Sequence, residues 1–361
     1  MKLDGQGNRD PSGPDSPTLR FESAPEPFPL KVEPIAGSTP PDARRPRPVV
    51  CAGILVADHL CTPIPRLPAA GELVMADDLI LNIGGCASNA AAVLAKLGVQ
   101  ATMLGRVGDD VFGRFVAETL AATGVDVHAL TVDPTLPTSQ TLIVNVKGED
   151  RRFIHTFGAN KGLTASDFDA VLDPPPQVLY VGGYLILPGL DATALAQRFA
   201  RARKAGTMTV LDVATPGPAD YLKHLIPLLP ETDVFLPNAD EAALILGEHD
   251  PVRQALAFRE LGAKRVVITR GEHGAVSVSE ELRVKLGTFS FPFVDGTGGG
   301  DAFDSGYILG LLEGRSEIDC LTLASAVGGS CVRAVGTTAG VFNRVEAEDF
   351  LARHTLPVES F

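Results

Sequence analysis

A run of glycines followed by an acid stands late in the chain, in the segment FVDGTGGGDAFDSGYILGLLEG at residues 293–314. An apolar stretch ends at Asp295, three glycines follow at 298–300, and Asp301 begins a stretch with helical spacing of apolar residues. Glycine N–H groups at a helix start can hold an anion closely, because no side chain blocks its approach. A carboxylate beside such a site can accept a hydroxyl proton, as phosphoryl transfer requires. Asp301 is equally well explained as the cap of its helix.

A second glycine pair opens the segment NIGGCASNAAAVLAKLG at residues 82–98. Gly84 and Gly85 lie at a predicted strand-to-helix turn, and Asn89 lies in the first turn of the helix. Glycines let a ligand approach the backbone, and an asparagine amide can both donate to and accept from hydroxyl groups. A tight turn with a polar first-turn residue is the alternative explanation.

The segment FLPNADEAALILG at residues 235–247 places Asn238 three residues before Glu241. If a helix starts near Asn238, the two side chains share one face. They could form a capping box. They could also reach Mg²⁺ and phosphate through water, because hard cations prefer oxygen ligands.

Three further candidate residues stand at predicted strand ends. Thr269 and Gly271 end a buried strand in VVITRGEHGA, and Asp58 follows the first strand. Open α/β sheets bind ligands at the carboxyl ends of their strands, which favours a role for all three residues. Ordinary loop and turn positions are the alternative.

These motifs must be positioned by alternating strands and helices. The apolar run 48–57 predicts a first strand buried on both faces, and the pattern of residues 88–97 predicts a helix that Gly98 ends. The alternation continues along the chain and predicts a doubly wound, mostly parallel α/β sheet flanked by helices. The stretches 71–85 and 139–158 lack a helical period and predict a small β-sheet lid, with a hairpin turn at residues 147–150.

The composition limits the range of functions. The chain has 361 residues, 45% of them hydrophobic, and a formal net charge of -13, which argues against a nucleic-acid or anionic-membrane partner. Five scattered cysteines and the lack of a signal peptide predict reduced thiols and a cytoplasmic location. Residues 1–47 are rich in polar residues and proline, so we expect a disordered N-terminal extension.

Taken in order, these motifs resemble those of the ribokinase-like (PfkB) carbohydrate kinase family. The resemblance covers residues 48–356 and rests on the sequence of G-G-x-x-x-N, N-x-x-E, T-x-G and D-x-x-G-x-G-D elements. It implies a kinase that transfers the γ-phosphoryl group of ATP to a hydroxyl of a sugar or sugar-like substrate, with Mg²⁺ as cofactor. Some members also hold a monovalent cation such as K⁺. A dimer that joins two lids is a further expectation, because exposed apolar patches usually find partners.

The resemblance also implies a role for each motif residue. Asp301 would be the catalytic base. The remaining assignments are substrate binding by Asp58, Gly84, Gly85, Asn89 and Asn160; ATP binding and the anion hole by Asn238, Thr269, Gly271, Gly298, Gly299 and Gly300; Mg²⁺ through water at Glu241; and the monovalent cation at Asp295.

The sequence departs from the family pattern in three places and leaves the substrate open. Gly296 stands where the family usually has Thr, Gly299 where it usually has Ala, and Cys86 follows the substrate-binding glycines. A nucleoside kinase of the same family is the main alternative, with Phe153 and Phe157 near the lid as candidates for a base pocket. A nicotinamide-dependent oxidoreductase is disfavoured because no G-x-G-x-x-G follows the first strand. A sugar-binding protein without activity is disfavoured because the predicted base is present.

Overall fold

The computed structural model describes residues 49–149 and 151–361, so the predicted extension 1–47 lies outside the described residues. In chain order the strands are β1 (Val49–Gly53), β2 (Val56–Ile64), β3 (Leu79–Gly84), β4 (Ala101–Gly108), β5 (Leu130–Asp133), β6 (Gln140–Val146), β7 (Arg152–Thr156), β8 (Val178–Gly182), β9 (Met208–Leu211), β10 (Val234–Phe235), β11 (Arg265–Thr269), β12 (Ala275–Ser279), β13 (Arg283–Leu286) and β14 (Val358–Ser360). The α-helices are α1 (Cys86–Lys96), α2 (Val111–Ala122), α3 (Ala192–Lys204), α4 (Leu222–Leu225), α5 (Ala239–Leu246), α6 (Pro251–Glu260), α7 (Gly299–Leu312), α8 (Glu317–Cys331) and α9 (Arg344–Leu351).

A ten-stranded sheet forms the centre of the fold, in the order β14-β13-β12-β11-β10-β9-β8-β1-β4-β5. The strands from β11 to β5 run parallel, whereas β12, β13 and β14 add an antiparallel edge. The chain winds outward from β1 to β4 and then returns to β8 on the other side of β1. The order therefore reverses at β1 and β8, where open α/β sheets form a ligand crevice. The predicted doubly wound, mostly parallel sheet is confirmed.

Apolar residues cover both faces of this sheet. One core packs α3, α5 and α6 against it, with Phe199, Phe235 and Phe258 fully buried. The other core packs α1, α2, α7 and α8 against the opposite face, around Leu94, Met103 and other fully buried side chains. In the described ranges, no helix is both long enough and apolar enough to cross a bilayer.

The predicted first strand 48–57 is wrong as a single element. The structure ends β1 at Gly53 and starts β2 at Val56, and β2 belongs to a second sheet. Gly53 has a φ of 140°, and a Cβ there would lie 2.2 Å from the carbonyl oxygen of Gly182. Because residues on both sides of the break are apolar and buried, the hydrophobic pattern carries no signal of it.

The second sheet has four strands in the order β3-β2-β6-β7 and forms the predicted lid. Strands β6 and β7 pair antiparallel within the predicted stretch 139–158, and Gly148 adopts a positive φ of 81° in the turn between them. Of the stretch 71–85, only β3 is a strand. The sequence missed β2, which pairs with both β3 and β6 and is the central element of the lid.

Candidate active site

Asp301 is the third residue of α7, and Gly298 caps that helix with a φ of 82° and no side-chain hydrogen bond. A Cβ on Gly298 would lie 2.8 Å from Cβ of Thr337, so this position requires glycine. A Cβ on Gly300 would meet no heavy atom within 4 Å. The backbone at Gly300 is therefore open to a ligand, and the first-turn N–H groups of a helix start are suited to an anion.

The Asp301 side chain does not cap its own helix. Instead, Asn89 Nδ2 in the first turn of α1 donates to Asp301 Oδ2 at 2.8 Å. Burial raises the pKa of Asp301 to about 6, and the negative charge of Asp58 adds to this effect. Hydrogen bonds from Asn89 and Cys86 lower the pKa and partly offset it. The carboxylate is therefore ionised at neutral pH and basic enough to take a proton from a hydroxyl.

The Asn89 side chain can bind a second group in addition to the Asp301 carboxylate. Its side chain is 4% exposed, and within the described ranges its Oδ1 atom is buried without a hydrogen-bond donor. A buried acceptor without a donor is costly, so a substrate hydroxyl that donates to Oδ1 would stabilise the site. The structure thus brings two predicted residues together and leaves one acceptor for a ligand.

Two further buried carboxyls lie near Asp301, and sequence reasoning assigned neither a role. Asp304, one turn further along α7, accepts from the hydroxyl of Tyr180 at 3.0 Å. Asp212 follows β9 and accepts from the backbone N–H of Gly183 at 2.9 Å. Burial raises the pKa of each carboxyl well above its usual range, and the charge of Asp301 raises it further in both cases. The position of Asp212 directly after a buried strand was the one available signal.

The thiol of Cys86 and the carboxyl of Glu241 lie close to these carboxyls. The ligand atoms of Cys86, Asp212 and Asp301 all lie within 4.8 Å of one another. Burial raises the pKa of Glu241 to about 7, and the charge of Asp301 contributes. Carboxylates gathered this closely repel one another, so a cation among them would be stabilised. The carboxylate oxygens are donors that Mg²⁺ prefers, whereas the Cys86 sulfur is not, so the carboxylates alone fit the predicted ion.

Asn238 and Glu241 form the capping box that the sequence allowed. The backbone N–H of Glu241 donates to Asn238 Oδ1 at 2.8 Å, and the N–H of Asn238 donates to Glu241 Oε2 at 2.9 Å. The second carboxylate oxygen of Glu241 is not needed for the cap. The same residue can therefore cap the helix and face a hydrated ion.

Asp58 lies in a row of polar side chains that crosses the lid. It is opposite Asn82 on one side and Thr141 on the other, and Thr141 is opposite His155. Residues in register across a sheet share a face. The Thr141 hydroxyl lies 3.0 Å from His155 Nδ1 and also donates to Asp58, which is 8% exposed. Burial raises the pKa of Asp58 to about 6. The sequence predicted Asp58 and missed the other three.

The two predicted glycines of the substrate turn are required by close contacts. A Cβ on Gly84 would lie 1.9 Å from Asp58 Oδ2, so glycine lets the carboxylate lie against the backbone. Gly85 has a φ of 98°, and its Cβ would lie 2.5 Å from the carbonyl oxygen of Ile54. Both glycines thus bring the start of α1 next to Asp58.

The amide of Asn160 is used by the backbone. Its Nδ2 donates to the carbonyl of Leu55 at 2.9 Å, and its Oδ1 accepts from the N–H of Leu55 at 3.3 Å. These bonds fix the break between β1 and β2 and hence the position of Asp58. A direct substrate contact by Asn160 stays a prediction.

Two further predicted residues lie at the carboxyl end of β11. Thr269 ends β11 and forms a bridge with Asn238, and Gly271 follows with a φ of 53°. A Cβ on Gly271 would meet no heavy atom within 4 Å, so space for a ligand remains beside it. Asp295 lies just before the glycine run and pairs with Arg151 of the lid at 3.0 Å.

Comparison with known proteins identifies the family to which the chain belongs. The profile of the pfkB family carbohydrate kinases matches residues 47–343. Ribokinase from Arabidopsis thaliana is 29% identical over 331 residues, which is 87% of this chain and 84% of that protein. Aminoimidazole riboside kinase from Salmonella typhimurium is 29% identical over 296 residues, 76% of this chain and 89% of that protein.

A solved structure shows the same fold. The structure of Arabidopsis thaliana ribokinase complexed with ribose and ATP superimposes with a TM-score of 0.74 at 24% identity, covering 86% of this chain and all of that chain. Because the profile match extends over most of the sequence, from the lid strands to the glycine run and beyond, the chain belongs to the pfkB family of carbohydrate kinases.

Proposed function

We propose that this enzyme transfers the γ-phosphoryl group of ATP to a hydroxyl of a sugar-like substrate, with Asp301 as the catalytic base. The observation that carries the proposal is the pairing of Asp301 with Asn89 at the glycine-rich start of α7. That arrangement joins a base and an anion site in the first turn of α7 with a hydroxyl-binding amide in the first turn of α1. The family membership supports the same reaction.

The reaction follows from these positions. Asp58 and Asn89 would hold the substrate, with one hydroxyl directed at Asp301. The Asp301 carboxylate accepts the hydroxyl proton while the oxygen forms a bond to the γ-phosphorus and the bond to the β-phosphate oxygen breaks. N–H groups at the start of α7, at residues 298–300, stabilise the charge on the transferred group. ADP leaves, and Asp301 releases its proton to solvent.

The nucleotide and its ion would lie along the edge that carries Asn238, Thr269 and Gly271. Mg²⁺ bound near Glu241 and Asp212 would neutralise phosphate charge. Their raised pKa values are consistent with this role, because a cation would restore the ionised form of both carboxyls. The location of the protein in the cytoplasm stays a prediction, supported by five cysteines that are all free.

The experiment is an ADP-release assay with a panel of sugars, polyols and nucleosides. Asp301→Asn should lower kcat by about 10²- to 10⁴-fold while ATP binding is retained, because the amide cannot accept the proton. Asp319→Asn, an exposed carboxylate on α8, is the matched control and should keep full activity. Turnover by the Asp301→Asn variant at more than about a tenth of the wild-type rate would contradict the mechanism.

A nucleoside substrate is the second candidate, and one contact favours it. Phe157 packs edge-on against His155, with ring centroids 5.3 Å apart, next to the polar row of the lid. An aromatic ring in that place could stack on a base. Phe157→Ala should then raise KM for a nucleoside far more than for a free sugar. Equal effects on both classes would remove this candidate.

A further inference from the structure

The carboxylate of Asp295, predicted to help hold a monovalent cation, already has a cationic partner. Arg151 Nη1 donates to Asp295 Oδ1 at 3.0 Å. The hydroxyl and the N–H of Thr297 donate to the same oxygen at 2.8 and 3.1 Å, and the N–H of Gly336 donates to Oδ2 at 3.1 Å. Both oxygens of the carboxylate are therefore occupied by donors.

A K⁺ ion does not fit beside this carboxylate as it stands. The ion needs oxygen lone pairs directed toward it, and Oδ1 accepts three hydrogen bonds while Oδ2 accepts one. The guanidinium would also repel a second positive charge on the same carboxylate. The residues around Asp295 thus do not fit the monovalent cation that the family resemblance implies.

The surroundings of Arg151 stabilise its position beside Asp295. It immediately precedes β7 in the lid, and its guanidinium carbon lies 5.8 Å from the ring centroid of Phe153, within cation–π range. The side chains of Arg151 and Asp295 are 31% and 13% exposed, so water and salt screen the pair only in part. A guanidinium keeps its charge over the whole working range of pH and binds carboxylates more specifically than a spherical ion does.

We infer that Arg151 of the lid supplies, at Asp295, the positive charge that a monovalent cation would otherwise supply, so that this enzyme works without K⁺. The inference rests on the proposed kinase function. Arg151 also contacts the hydroxyl of Thr297, which directly precedes the Gly298 cap of α7. Arg151 is thus a positioning residue, because it holds the segment that leads into the anion site.

Salt exchange tests the inference with the full-length enzyme. Rates of ADP release and thermal unfolding midpoints are measured in K⁺, Na⁺ and tetramethylammonium chlorides at equal ionic strength. The wild type should show the same rate and the same midpoint in all three salts. Arg151→Ala should lose activity by about 10- to 100-fold in tetramethylammonium chloride, because the loop before the anion site loses its charge partner. K⁺ should then restore part of the rate and raise the midpoint by binding the vacated carboxylate.

Arg152→Ala is the matched control. Arg152 lies next in the chain and pairs with Glu149 within the hairpin, so its removal should leave the salt response unchanged. Activation of the wild type by K⁺, or an Arg151→Ala variant that K⁺ neither activates nor stabilises, would overturn the inference. The comparison of salts on the wild type stands even if Arg151→Ala fails to fold. If no substrate is turned over at all, the proposed function fails, whereas the unfolding midpoints still decide the cation question.

Discussion

The basicity of Asp301 is set by opposing influences from its neighbours. Burial and the negative charge of Asp58 raise its pKa, whereas hydrogen bonds from Asn89 and Cys86 lower it, and the balance lies at about 6. A base with a pKa just below neutral pH is ionised under working conditions and still accepts a proton readily. These neighbours therefore influence catalysis through the pKa of Asp301 as well as through substrate binding.

The pH profile of kcat/KM should report the pKa of Asp301. We expect activity to rise with pH through an apparent pKa of about 6, because the base must be ionised. Asp58→Asn removes a like charge and should move this acidic limb of the pH profile to lower pH. Asn89→Leu removes a hydrogen-bond donor and should move the limb to higher pH. The position of the limb is the readout, since both variants will also weaken substrate binding. Shifts in the same direction for both variants would contradict this account.

Asp304 should cost the folded enzyme stability at high pH. Its pKa is raised in the folded state, so the stability that depends on its neutral form is complete below the unfolded pKa and lost as pH rises through the folded pKa. Asp304→Asn should therefore raise the free energy of unfolding near about pH 8 by on the order of 1 kcal/mol, with no gain near about pH 4.

Urea unfolding of the enzyme without Mg²⁺ measures this difference. Asp349→Asn, on the exposed side of α9, is the control and should change little at either pH. In the Asp304→Asn variant, the amide oxygen of the new side chain could still accept from the Tyr180 hydroxyl, so the substitution chiefly removes charge. Equal stability of Asp304→Asn and the wild type at high pH would contradict the proposed destabilisation by the ionised Asp304 carboxylate.

At the scale of elements, two glycines at the start of α7 serve different purposes. Gly298 is needed for the backbone conformation, and Gly300 leaves room for a phosphate to approach. Gly298 has a φ of 82° and would clash with Thr337, whereas the space in front of Gly300 is open. Gly298→Ala should lower the free energy of unfolding by about 1–3 kcal/mol. Gly300→Ala should keep or slightly raise stability, because alanine favours the helix, yet lower kcat by placing a methyl group where phosphate approaches.

Thermal unfolding and ADP-release rates distinguish the two variants. The expected outcome is a lower unfolding midpoint for Gly298→Ala and a normal midpoint with reduced turnover for Gly300→Ala. Full activity of Gly300→Ala would show that no anion approaches this part of α7.

The elements were predictable from the sequence where one physical signal dominates. Helix α1 was expected at 88–97 and lies at Cys86–Lys96, because apolar periodicity and Gly98 mark it clearly. The break at Leu55 was not predictable, because it depends on the amide of Asn160, 105 residues away in the chain. The same holds for Asp304, whose partner Tyr180 comes from a distant strand. Motif spacing finds residues that act locally, and long-range pairs appear only in the folded chain.

At the scale of the whole molecule, the outer face of the lid carries exposed apolar side chains. The polar row that contains Asp58 lies on the inner face, and the next row, in register with His59, lies on the outer face. Four apolar side chains of that outer face are largely solvent-exposed: Leu79 (73%), Leu81 (38%), Leu142 (42%) and Ile154 (67%). Exposed apolar side chains on three strands of one sheet face are unfavourable in water and are typical of an interaction surface.

We therefore expect a homodimer in which the outer faces of two lids pack together. Replacing both Leu79 and Ile154 with Lys should convert it to a monomer, because the paired faces would bury like charges. Light scattering coupled to size exclusion gives the mass directly. Val345→Lys, which alters an equally exposed apolar residue on α9, should leave the dimer intact. A wild-type monomer at micromolar concentration would contradict this assembly. A dimer that survives the double substitution but dissociates with Val345→Lys would place the interface at α9 instead.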